Sequence, residues 1–251
     1  MVLIIIFFVL LVLFIVLSVI YFKRSNAIIK TTFENSSTYT FGAKGKGKDL
    51  LYQKVIHLRK IPYYSNIYYG GFYKHLSLKA MNVDPNTYHN MIVNDVKGIN
   101  TYLLEQCDLY ISDAGIYLPN FEDAKLNKEY PSMPIFMAVQ RHILSSNTHV
   151  NSQAYGRVWK KVREQADFYI KALRVIKLGR VFLCKIRIYD KESSAENDMR
   201  PLRKKLFKKN LETAEDYYAK NGTIIERYYI ILKKHIKYDT RAFKRIFKIY
   251  D

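Results

Sequence analysis

Apolar residues run from Met1 to Phe22 with no charged side chain among them. As a helix, a segment of that length spans roughly 30 Å, the thickness of a bilayer core, so residues 1–22 are expected to form a transmembrane anchor. A cleaved signal peptide would instead show a basic start, a shorter apolar stretch and a small-x-small cleavage site. Residues 23–36 turn polar and read as a short linker. Ser37–Phe41 is rich in β-formers and reads as a strand. Leu50, Leu51, Val55 and Leu58 recur at helical spacing, which predicts a helix from Asp49. Ile61–Ile67 is a candidate strand, and residues 72–100 carry no clear period. The bulky run Leu109-Tyr110-Ile111 ends in Ser112-Asp113, as a buried parallel strand does at its functional end. Residues 148–153 form another candidate strand, 155–167 a helix, and 168–173 and 181–189 two β-type runs about a turn at Lys177-Leu178-Gly179-Arg180. The tail 190–251 reads as partly helical, with apolar residues at 206, 211 and 228–232.

The glycines between the first strand and the first predicted helix change the picture. Gly42-Ala43-Lys44-Gly45-Lys46-Gly47-Lys48-Asp49 has the spacing of a phosphate-binding loop in the required strand–loop–helix context. Glycines let backbone N–H groups turn inward onto phosphate, and the following helix adds its positive end. Lys48 is placed to reach the β- and γ-phosphates, with residues Gly42 to Leu50 forming the nucleotide-binding segment. The usual Ser or Thr after the lysine, a Mg²⁺ ligand, is replaced by Asp49, itself a hard oxygen donor.

At Ser112-Asp113 two registers are open. Asp113 holds Mg²⁺, with Ala114 where a water-activating Glu would stand, or Ser112 takes the metal position and Asp113 activates water. Gln153, at the end of its strand, is a candidate contact for the γ-phosphate or the attacking water. An ordinary strand end capped by Asp113 is the plain alternative.

Charge narrows the partners. The chain of 251 residues has a formal net charge of +19, which points to nucleic acid or anionic lipid and says nothing about fold. Residues 141–189 hold eleven Lys or Arg against Glu164 and Asp167, interleaved with Tyr155, Trp159, Phe168 and Tyr169. These rings could stack on bases, though core packing suits them better. The tail is basic but mixed in sign, as a solvated face is. The two cysteines, Cys107 and Cys184, lack metal spacing and sit in apolar runs, as buried small hydrophobes do. His75 and His89 have no ligand-spaced companions. Lys23, Arg24 and Lys30 flank the anchor on its C-terminal side only, which predicts an N-terminus outside and a cytoplasmic body.

The order anchor, strand–GAKGKGKD–helix, Tyr110–Asn120 (YISDAGIYLPN), Arg141-His142 and Gln153 resembles the zonula occludens toxin-like ATPases of filamentous phages and mobile elements, within the FtsK/HerA group. Their second motif, Asp-Glu-Ala followed by an aromatic and Pro, matches here at Ala114 and Pro119. That alignment puts Ser112 in the metal position and Asp113 in the acid position. The resemblance implies an α/β P-loop NTPase, a RecA-like parallel sheet flanked by helices, over residues 37–189. The anchor and linker precede it and a basic extension at 190–251 follows. It implies ATP and Mg²⁺ as cofactors, with Asp49, Ser112 and Asp113 toward the metal. It also implies a ring in which Arg163 or Arg157 reaches a neighbouring subunit, DNA as cargo, and capsid or coat proteins as further partners. The expected function is a membrane-anchored ATPase for phage assembly or DNA export. The rivals are a nucleotide-gated membrane scaffold with little hydrolysis and a basic nucleic-acid-binding membrane protein. Asp49 for Ser/Thr, Ser-Asp for Asp-Glu, and an anchor ahead of the ATPase depart from the family pattern.

Overall fold

The computed structural model describes residues 2–34, 36–76, 78–82, 107–199 and 224–237. The first helix, α1 (Val2–Glu34), is 33 residues long and exposes its apolar side chains from Leu3 to Tyr21. Among the described residues it is the one helix long and apolar enough to cross a membrane. It does not stop at the expected linker. Ser25, Ile29 and Phe33, fully buried, recur every fourth residue on one face, so residues 23–34 continue the helix and lay that face on the domain. Within 23–36 the polar composition hid this apolar stripe.

Eight strands form one sheet in the order β3-β2-β4-β5-β1-β6-β7-β8. Strands β1 (Thr38–Phe41), β2 (Tyr63–Ser65), β3 (Tyr73–His75), β4 (Asp108–Ile111), β5 (Asn147–Ser152) and β6 (Phe168–Leu178) run parallel. β7 (Val181–Tyr189) and β8 (Ile224–Leu232) close one side as an antiparallel meander. Helices cross between the parallel strands: α2 (Lys48–Arg59), α3 (Ala114–Tyr117), α4 (Asp123–Glu129), α5 (Met133–Leu144) and α6 (Lys160–Arg163); α7 (Glu192–Met199) follows β7. One core cluster joins Tyr39, Phe41, Ile111, Val150 and Trp159; the other joins Ile29, Phe33, Leu51, Val55, Ile186 and Ile231.

Three further expectations change. The helix over 155–167 breaks into a 3-10 turn (Tyr155–Arg157) and the single turn α6, because Val158 is extended and bridges to Pro119. The buried Trp159 indole donates to Asp123 and fixes this break. The apolar run at 228–232 is not helical but the end of β8, whose alternation of Tyr229 and Ile231 inward suits a strand. The sheet therefore continues past residue 189, and Ala195 of α7 lies in the core. His89 and residues 206 and 211 of the tail lie outside the described residues.

Candidate phosphate and cation site

The loop after β1 has the backbone that phosphate binding requires. Gly47 sits at φ 93°, and a Cβ there would meet Val175 Cγ2 at 2.6 Å. At Gly42 a Cβ would meet the Ala172 carbonyl oxygen at 2.7 Å. β6 thus lies so close behind the loop that only glycine fits at either position. Gly47 is also the N-cap of α2 and offers no side-chain cap, so the first amides of the helix are left for an anion. The Tyr229 hydroxyl donates to the Gly47 carbonyl at 3.3 Å, which holds the loop's last turn to β8.

Lys48 folds back over the loop and donates from Nζ to the Gly42 carbonyl at 3.0 Å. Burial lowers its pKa, and Asp49 and Asp113 pull it back up. Phosphate oxygens at this place would restore the solvation that burial removed. Ala43, Lys44, Gly45 and Lys46 are exposed at the loop's rim, and Leu50 packs against the second core cluster.

Strand order brings the remaining groups together. β4 is not next to β1; β5 lies between them. The end of β5 consequently stands between the loop and Ser112. Asn151 Nδ2 donates to Asp49 Oδ1 at 3.2 Å and to Ser112 Oγ at 3.3 Å. Its Oδ1 accepts from the Asp113 amide at 2.8 Å. The Tyr69 hydroxyl donates to Asp49 Oδ1 at 2.9 Å and also bonds Ser112 Oγ. Asn66 clamps the Ser112 backbone, donating to its carbonyl at 2.9 Å and accepting from its amide at 2.8 Å. Burial pushes the Asp49 carboxyl above the ordinary carboxylate range, while the Tyr69 hydrogen bond pulls it down.

Two dipoles thus aim their positive ends at one carboxylate oxygen, and both groups also bond the Ser112 hydroxyl. A carboxylate and a hydroxyl, with Asp113 adjacent, are hard oxygen donors that fit Mg²⁺. Tyr69, Asn66 and Asn151 escaped the sequence reading. They come from a loop after β2 and a strand interior, and no local period marks them.

Asp113, at φ 48°, caps α3 with a left-handed backbone. It lines a cleft with Gly115, Ile116, Ser152, Gln153 and Arg157. Gln153 lies one residue past β5 and is exposed, as is Arg157. Arg163 is elsewhere. Its guanidinium lies 4.6 Å from the Tyr155 ring and donates to the Tyr155 carbonyl at 3.4 Å. At 7% exposure it is buried in the domain, and of the two arginines expected to reach a neighbour Arg157 is the exposed one.

The basic excess of 141–189 is also partly matched. Arg141 pairs with Asp167, Lys160 with Glu164, and Lys185 and Arg187 with Glu226 from β8. Tyr155, Trp159 and Tyr169 are buried core rings rather than a stacking platform. Cys107 and Cys184 are buried, their thiols pushed up to about 12 and about 11 by burial. His75 is exposed, and among the described residues no cluster of three or more His, Cys, Asp or Glu could hold a metal ion.

A parallel sheet flanked by helices, with a glycine loop between β1 and α2, is the fold of the P-loop NTPases. Solved structures similar to the chain include the genome packaging NTPase B204 from Sulfolobus turreted icosahedral virus 2 in complex with AMP, at 15% identity and a TM-score of 0.39, covering 64% of this chain and 94% of that one. The N-terminal domain of zonular occludens toxin from Neisseria meningitidis is similar at 10% identity and a TM-score of 0.37, covering 83% and 97%. A KaiC-like protein from Pyrococcus horikoshii is similar at 14% identity and a TM-score of 0.31, covering 63% and 81%. No protein-family model and no curated protein matches the sequence. At such identities, function rests on the site itself.

Proposed function

We propose that the chain is a membrane-anchored ATPase that drives DNA packaging, DNA export or virion assembly for a phage or mobile element. The observation that carries this reading is the convergence of Lys48, Asp49, Ser112 and Asp113 at a glycine loop that opens on an uncapped helix N-terminus. The loop amides and α2 receive the phosphates of ATP. Lys48 exchanges the Gly42 carbonyl for phosphate oxygens. Bound Mg²⁺ supplies neutralisation of the phosphate charge, and Asp49 and Ser112 would hold it directly or through water. Asp113 orients the attacking water from the mouth of the cleft it shares with Gln153 and Arg157. Gln153 senses the γ-phosphate. Arg157 neutralises developing charge, at its own site or a neighbour's in a ring.

The helix α1 anchors the protein in the host inner membrane as a single pass. The basic residues Lys23, Arg24 and Lys30 after its apolar span keep the body in the cytoplasm, where ATP is, and the N-terminus outside. The net charge of +19 suits DNA as cargo, with salt-dependent binding. The motif resemblance to zonula occludens toxin-like ATPases supports the assembly role, in which capsid or coat proteins are further partners.

A second reading is favoured by Ala114. It is fully buried and follows Asp113 directly, so the chain has no second carboxylate at this strand end. A nucleotide-gated scaffold with little turnover would need none. ATP binding and hydrolysis by the full chain in detergent, with and without DNA, separate the two. Turnover that disappears in Lys48→Ala and Asp113→Ala supports the motor. Binding through Lys48 without turnover supports the scaffold, and absence of nucleotide binding sinks both.

A further inference from the structure

We propose that this chain builds its cation site with the two protein ligands exchanged between elements: Asp49 on α2 supplies the carboxylate, and Ser112 after β4 supplies the hydroxyl. The inference rests on the nucleotide-binding reading above. In P-loop NTPases the residue after the loop lysine gives a hydroxyl and the neighbouring acidic strand gives an Asp. Here each position carries the other's chemistry, and the two side chains share two hydrogen-bonding partners although 63 positions separate Asp49 from Ser112 in the sequence. One amide group, Asn151 Nδ2, donates to both oxygens, at 3.2 Å and 3.3 Å, and the Tyr69 hydroxyl touches both. The donor set and its formal charge are therefore unchanged, while the negative charge moves from the strand end to the N-terminus of α2, where the helix dipole and Lys48 favour it.

Neither substitution makes sense alone. Asp49 opposite an Asp would add a further carboxylate beside Asp113 on one small site, and each would disfavour the others' charge. Ser112 opposite a Ser would leave two hydroxyls and no charge from this pair to hold a divalent ion. Asn151 and Tyr69, both proton donors here, are the groups that a displaced carboxylate needs to stay oriented.

The test is a double-mutant cycle in the full chain: Asp49→Ser, Ser112→Asp and the pair together, with Asp49→Asn as an isosteric control. Mn²⁺ binding is read by electron paramagnetic resonance in the presence of a non-hydrolysable ATP analogue. Analogue affinity with and without Mn²⁺ is read alongside. Asp49→Ser and Asp49→Asn are expected to lose Mn²⁺ affinity by at least ~10-fold. Ser112→Asp alone is expected to weaken analogue binding without metal. The pair should recover Mn²⁺ affinity to within a few-fold of the starting protein, a coupling that independent sites do not show. A pair no better than Asp49→Ser, with unchanged thermal unfolding, overturns the exchange and leaves nucleotide binding standing. A starting protein whose analogue binding is absent or indifferent to Lys48→Ala overturns both.

Discussion

The hydroxyl of Ser25, on the long apolar helix, donates to the backbone carbonyl of Tyr228 in β8 at 2.5 Å. Ile29 and Phe33, one and two turns further on, are fully buried against the sheet. The Phe33 carbonyl accepts from Arg59, and the Glu34 carbonyl accepts from Asn147 at 3.0 Å. The helix is thus an exposed apolar span at one end and a core element at the other. A protein lacking residues 1–22 should fold, whereas one lacking 1–34 should lose about 3–6 kcal/mol from unburying Ile29 and Phe33. Urea unfolding of the two truncations compares them; equal midpoints would show that the docked half of α1 contributes nothing.

The glycine loop and the strand ending at Ser112-Asp113 were legible in the sequence because their signals are local. Glycine spacing dictates a backbone shape, and a bulky run dictates a buried strand. Gln153 and Arg157 both line the cleft beside Asp113, the first just past the strand end expected for it and the second on a 3-10 turn where a helix was expected. Tyr69, Asn66 and Asn151 were not legible, since what assembles them is strand order. Only when β5 lies between β4 and β1 does Asn151 face both Asp49 and Ser112. The docked half of α1 did carry a signal, the four-residue recurrence of Ser25, Ile29 and Phe33, but scattered polar residues masked it. β8 was hidden differently. It lies far from its partner β7 in sequence, and a short apolar run cannot be told from a helical one by periodicity alone.

Arg157 and Arg163 should separate cleanly on substitution. Arg163 covers the Tyr155 ring inside the subunit, so Arg163→Ala is expected to cost about 2 kcal/mol in stability through lost packing and the stacked cation. Arg157 lines the cleft with Asp113 and is exposed, so Arg157→Ala should leave the melting temperature unchanged. Its turnover should fall by roughly 10³-fold if it neutralises transferring phosphate. Melting curves and steady-state ATP hydrolysis on both variants decide this. The reverse pattern, with Arg163→Ala stable and inactive, would return Arg163 to the catalytic role.

Gly47→Ala tests the loop without touching a charge. The residue sits at φ 93°, and the new methyl would meet Val175 Cγ2 at 2.6 Å. Backbone strain and the clash act together, at roughly 1–3 kcal/mol for the strained backbone alone. The variant should therefore bind nucleotide at least ~10-fold more weakly while the β6–β7 meander stays folded. Far-ultraviolet circular dichroism and analogue titration give the two readouts. Gly47→Ala combined with Val175→Ala removes the clash but not the φ strain, so partial recovery of affinity is expected; full recovery would assign the whole effect to sterics.

His149 makes stability depend on pH from beneath the sheet. Its imidazole is fully buried on β5, with Nδ1 3.1 Å from Thr38 Oγ1 and Nε2 3.7 Å from Asp108 Oδ1. Burial lowers its pKa below the ordinary value, Asp108 works in the opposite direction, and Arg59, paired to Asp108, adds to the lowering. The folded protein therefore keeps His149 neutral where the unfolded chain, with a histidine pKa of about 6.5, takes up a proton. The unfolded state binds more protons in that window, so stability rises with pH there and is lost on acidification from about 6.5 down toward the depressed folded value. The limiting slope from this one group is about 1.4 kcal/mol per pH unit. Urea midpoints of the protein lacking residues 1–22, taken from pH 8 to pH 5 beside His149→Gln, isolate the contribution. The variant should start less stable and show the shallower slope. Parallel slopes would mean that the acid sensitivity arises at another group and that the buried imidazole is protonated without cost.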